Sequence, residues 1–174
     1  MNKILMLAAF LFSMNLFAVA GEKPVIPTPF EFVVSDSVSG SQAELFSRAN
    51  VWLATHYDKA QEVIQYSDVK AGKIIGKANA NLPWIYGNRT MNEYVRYTIT
   101  IIVKDGKYQC KLSDFRHLRS EPTTAPMSQG NLENEHPNPG GLMLQKVWKH
   151  IKEEAVKESW HILDGFQIAM KTAD

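Results

Sequence analysis

The chain has 174 residues, with 19 Lys and Arg set against 18 Asp and Glu, and one cysteine, Cys110. A balance this close to neutral excludes broad electrostatic binding to nucleic acid or to an anionic membrane, both of which need a basic excess. A lone cysteine excludes an internal disulfide, and the length suits one domain with a substantial core.

Residues 1–20 read as a secretory signal peptide. Lys3 supplies the positive start, 4–12 are continuously apolar, and Ala18-Val19-Ala20 forms a small-residue cleavage site before Gly21. Ser13 and Asn15 interrupt the apolar run, which is too short to span a bilayer comfortably. No cysteine near the cleavage site suggests a lipid anchor, and no later stretch is apolar enough to cross a membrane. Removing Lys3 with the leader leaves basic and acidic residues equal in number. The expected location is outside the cytoplasm, periplasmic or secreted. Export without disulfides fits a bacterial envelope.

The remainder, 21–174, is expected to be a single domain. Three prolines in 21–29 make an extended lead-in, and 30–34 alternates as a short strand. After a turn-like stretch, Ser41-Gln42-Ala43-Glu44 has capping-box spacing, with the Ser hydroxyl and the Glu carboxylate each satisfying the other's backbone N–H. The helix it opens runs to about Tyr57, with Leu45, Phe46, Ala49, Trp52, Leu53 and His56 as its apolar stripe. Strands are expected over 60–67 and 73–82, joined by a hairpin loop at 68–72. Ile74, Gly76, Ala78 and Ala80 share one face of the second strand, small enough for close helix approach. A connection rich in aromatics, holding Trp84 and Tyr86, fills 82–92.

The strongest local signal follows in 93–117. Asp105-Gly106 between two long alternating runs predicts a hairpin with a type I′ turn, which requires positive φ at both turn residues. That turn pairs Lys104 with Lys107, Val103 with Tyr108, Ile101 with Cys110 and Ile99 with Leu112. Tyr97, Ile99, Ile101, Val103, Tyr108, Cys110 and Leu112 then share an apolar face, where Cys110 reads as a buried structural thiol. Arg96, Thr98, Thr100, Ile102, Gln109, Lys111 and Ser113 share the other, extended by Phe115. Continuing the register sets Asp114 opposite Tyr97 on the apolar face, so a β-bulge is expected near Ser113 or Asp114.

Residues 118–141 have no periodicity and hold four prolines, a length that in compact domains marks a functional or disordered loop. From 142 a helical period returns through Leu144, Val147, Trp148, Ile151, Ala155, Ile162 and Phe166. Lys152, Glu153, Glu154 and Lys157 lie on its polar side, and Gly165 is expected to break or end it. The fold class is therefore α+β: a five-stranded, mainly antiparallel sheet in β-α-β-β-β-β-α order with two helices packed on one face.

That order, a signal peptide and three sequence blocks resemble a family of uncharacterised secreted bacterial proteins with a TATA-binding-protein-like fold. The blocks are Ser41 to Ala49 with Trp52, Gly72 to Lys77, and Tyr97 to Tyr108. The resemblance is close over about 30–117 and looser in the last helix. It implies the fold. The family carries no established activity, so it implies no catalytic residues. DNA binding does not follow from the fold name, because a DNA-bending saddle needs a basic concave sheet.

No phosphate loop, nucleophile elbow, Cys–His pair or short-spaced histidine pair is present, so no catalytic residue, metal or cofactor is assigned. The functional expectation is an exported, non-catalytic module that binds a partner protein or glycan through the uncovered sheet face. Arg96, Thr98, Thr100, Ile102, Gln109, Lys111 and Phe115 would make that contact, with Trp84 and Tyr86 nearby as stacking groups. The alternative is a small hydrolase or metal-dependent enzyme with its site under the 118–141 loop, where His117, Glu133, Glu135 and His136 would converge.

Overall fold

The computed structural model describes residues 24–86, 89–118, 128–139 and 143–172. The proposed signal peptide at 1–20 lies outside them. The order is β1 (Phe32–Ser37), α1 (Gln42–His56), α2 (Ala60–Val63), β2 (Ile64–Asp68), β3 (Lys73–Tyr86), β4 (Arg89–Lys104), β5 (Lys107–Leu118) and α3 (Gln145–Lys171). The five strands form one sheet in the order β1-β5-β4-β3-β2. Every pair is antiparallel. The expected fold class holds, with α2 as an added helix of one turn at 60–63, where a strand was expected.

One sheet face carries the core. Tyr97, Ile99, Ile101 and Val103 of β4 and Tyr108, Cys110 and Leu112 of β5 are buried against Leu45, Ala49, Trp52 and Leu53 of α1 and the inward side of α3. Burial pushes the Cys110 thiol well above its ordinary range, as expected of a structural cysteine. The capping box forms: Ser41 Oγ accepts from Glu44 N–H, and Glu44 Oε2 accepts from Ser41 N–H at 2.6 Å.

The β4–β5 pairing has the expected register, from Lys104 opposite Lys107 to Ile99 opposite Leu112. The turn is not type I′. Gly106 has φ 71°, but Asp105 is absent from the positive-φ residues and so supplies only a negative φ. Tertiary bonds account for the difference. Asp105 Oδ1 accepts the Gln42 N–H of α1 at 2.7 Å, while Gly106 donates to Gly40 O and accepts from Val38 N–H. The turn thus serves as an anion cap for α1, a stabilising position for a carboxylate.

Four further expectations shift. β3 and β4 run through much of the stretch read as a connection, so Trp84 and Tyr86 are strand residues. His56 does not pack on the sheet; it stays exposed and stacks on Trp52 at 4.8 Å and 17°. Partial desolvation of its ring still lowers its tendency to protonate, against the attraction of Glu158. α3 continues through Gly165 to Lys171. Lys152 is buried rather than lying on the polar side of α3.

Gly76 is where α2 meets the sheet. A Cβ there would lie 2.9 Å from Ile99 Cγ2 and 3.1 Å from Val63 Cγ1. Gly76→Val is expected to cost about 1–3 kcal/mol by overpacking, measurable as a lower urea midpoint. An unchanged midpoint would mean that α2 yields freely.

Candidate functional site

Alternation leaves the opposite sheet face without a covering element among the described residues. Its centre is a row across all five strands, Val33–Lys111–Thr100–Ile75–Tyr66, each opposite the next. Beside it runs Ser35–Gln109–Ile102–Lys73–Asp68. Val33 and Tyr66 are more than two-fifths exposed, and Thr100, Ile75 and Ile102 are half-buried. Apolar and hydroxyl groups thus occupy the middle of the face.

Charge surrounds that middle unevenly. Lys111 pairs with Glu31 at 3.2 Å. Asp68 is engaged by the Lys70 and Ala71 N–H groups and by Tyr66 Oη, bonds that hold its carboxyl below the usual range. Lys73, Lys77 and Arg96 have no carboxylate within ion-pairing distance among the described residues. Arg96 Nε donates to Asn79 Oδ1 at 3.1 Å across the β3–β4 pair, which orients the guanidinium. Where β2 begins, a cleft of about 700 Å³ lies between the sheet and the end of α1, with Lys77, Asn79 and Arg96 on one wall and His56 and Asp58 on the other.

Arg96, Thr98, Thr100, Ile102, Gln109 and Lys111 all lie on this face, as expected. Phe115 does not. Arg96 pairs with Arg116 and Thr98 with Ser113, so Tyr97 on β4 faces two residues, Asp114 and Phe115, on β5. Asp114 takes φ 56° as the extra residue of the expected bulge. One inserted residue reverses the side of everything after it. Phe115 therefore stacks on Tyr97 at 5.5 Å inside the core, only 4 % exposed. The side chains of Trp84 and Tyr86 fall outside the described set. Sequence reasoning missed Val33, Tyr66, Lys73, Ile75 and Lys77. Alternation along β1, β2 and β3 held the signal, but it was not followed there.

The residues of the alternative site do not converge. The same reversal turns His117 inward, where it is fully buried. Its Nδ1 accepts the Gln129 N–H at 3.2 Å, so Nε2 carries the proton and donates to Glu93 Oε2 at 2.8 Å. The 128–139 segment folds back along β5 through an Arg116–Asn131 bridge and buries Leu132. His136 stays exposed, bonded to Gln145. Among the described residues no group of three or more His, Cys, Asp or Glu is placed to hold a metal, and no helix is long and apolar enough to cross a membrane.

Comparison with known proteins bears on the fold. Residues 32–117 match the model of a domain of unknown function, DUF4468, with a TBP-like fold. The crystal structure of a DUF4468 family protein from Bacteroides ovatus superposes with a TM-score of 0.63 at 18% identity, covering 83% of this chain and 87% of that one. A TBP-like protein from Parabacteroides distasonis superposes with a TM-score of 0.56 at 17% identity, covering 79% of this chain and 92% of that one. No curated protein matches the chain in sequence. The matched segment and both superpositions agree on the fold: residues 32–117 carry a DUF4468 domain, with its TBP-like fold.

Proposed function

We propose that this protein is an exported, non-catalytic module that binds a partner protein through the open sheet face. The observation that carries the reading is the row Val33–Lys111–Thr100–Ile75–Tyr66 with Ile102 beside it. Apolar groups run across it, with Ile75 and Ile102 in the middle and Val33 and Tyr66 on the edge strands, and among the described residues Lys73, Lys77 and Arg96 beside them have no ion-pairing carboxylate, a mixture suited to a protein interface. The unpaired Lys73, Lys77 and Arg96 favour an acidic partner surface, which they would steer and align. Export rests on the sequence of 1–20.

The test is site-specific photo-crosslinking in the native cell, with the probe at Ile102 and then at Tyr66. One defined protein adduct from both positions is expected, and Ile102→Asp should abolish the adduct formed at Tyr66. A glycan adduct would replace the protein reading. No adduct from either position would demote the face to solvated surface.

A further inference from the structure

On the helix side of the sheet, Lys152 of α3 is buried, with 8 % of its surface exposed. Its Nζ donates to Asn134 O and lies 5.7 Å from the centre of the Trp148 ring. No carboxylate is within ion-pairing distance of it among the described residues. Glu135 acts on it only through space, opposing the desolvation that lowers its affinity for a proton. An ammonium has three donors, and a single carbonyl takes one. Holding a cation out of water without a paired anion costs several kcal/mol, and such groups concentrate where the charge has a task.

Lys152 borders a cleft of about 340 Å³, at the small end of the range for ligand sites. The lead-in supplies most of the wall, from Ile26 to Phe30, and Leu132 closes it. Phe30 and Leu132 are fully buried parts of the core, so this wall is fixed. The cleft therefore pairs an apolar lining with one under-neutralised cation. Glu133, exposed at the rim, also lines it; its carboxylate opposes any anionic occupant and opposes a dianion about twice as much as a monoanion.

We propose that this cleft binds a small monoanionic amphiphile, with a carboxylate head on the Lys152 ammonium and a hydrocarbon body against Ile26 and Pro27, over the floor formed by Phe30 and Leu132. The site is separate from the open sheet face and does not depend on the reading given to that face. A bound carboxylate would take the two ammonium donors that Asn134 O leaves, and charge-assisted bonds of this kind are among the stronger ones. The apolar body would add burial in proportion to its area.

Octanoate is the probe, titrated by calorimetry into the full protein, with octanol and octylamine as controls. Octanoate is expected to bind, octanol at least about tenfold more weakly, as the loss of a charge-assisted bond implies, and octylamine not at all. Lys152→Met keeps the apolar stem and removes the head, so it should weaken octanoate by at least about tenfold and leave octanol unchanged. Circular dichroism would establish that this variant is folded. Should it not fold, Pro27→Trp fills the cleft from its rim with Lys152 intact, and should abolish octanoate binding. Absence of octanoate binding to the wild type, equal binding by folded Lys152→Met, or tighter binding of octylamine than of octanoate would each overturn the proposal.

Discussion

Phe115→Ala is expected to lower the unfolding free energy by about 3–5 kcal/mol, the range for truncating a buried aromatic. Phe115 meets Phe30 at 5.2 Å and Phe32 at 5.6 Å edge-on, and Tyr97 face-on. Its removal empties the junction of the lead-in, β1 and the central hairpin. Ile102→Asp, one strand away on the open face and only half-buried, should cost less, about 1 kcal/mol, the span of strand preferences. Chemical denaturation of both variants decides the matter. Had the strand continued without a bulge, Phe115 would share the open face with Ile102 and both changes would be cheap, so a cheap Phe115→Ala would refute the assigned register.

His117→Ala is expected to be as damaging, at about 3–5 kcal/mol. The imidazole bonds the Glu93 carboxylate through one nitrogen and the Gln129 N–H through the other, with its ring edge-on to Trp148 at 6.1 Å. Truncation leaves a carboxylate only 12% exposed and a buried amide facing a void. Glu93→Gln keeps an acceptor for Nε2–H and should cost about 1 kcal/mol or less. Thermal or urea unfolding of the pair tests the arrangement, which fails if Glu93→Gln costs as much as His117→Ala.

What the sequence made legible, and what it did not, follows from how far each signal reaches. Asp105-Gly106 is punctuation, so hairpin register could be counted outward from it; the turn type could not, because bonds to Val38, Gly40 and Gln42 decide it. The capping box needs only four residues and forms as spelled. The bulge was legible from Asp114 falling on an apolar face, but its consequence for Phe115 and His117 required carrying the reversal one and three residues further. The stretch 82–92 read as a connection, yet β3 runs past β2 there, and Pro83 is tolerated where a strand has no neighbour on one side. Lys152 was counted with Glu153, Glu154 and Lys157 because charge predicts exposure; only the fold-back of 128–139 over α3, which brings up Asn134 O, buries it. The open face was read on the hairpin alone; alternation in the other three strands carried it too, since Ile74, Gly76 and Ala78 on one face of β3 already set Lys73, Ile75 and Lys77 on the other.

β2 pairs with β3 only from Lys73 to Gly76, so from Lys77 onward β3 has no second neighbour among the described residues. Amides there that point away from β4 are open to solvent exchange, while those bonded to β4 share the protection of the sheet. The same stretch is a template for a foreign strand, the usual route to edge-to-edge aggregation. Lys77 places a charge at its start, and Pro83 removes a donor within it, two devices that interrupt such pairing. The segment of the sheet with the least internal support thus carries its own safeguards against self-association.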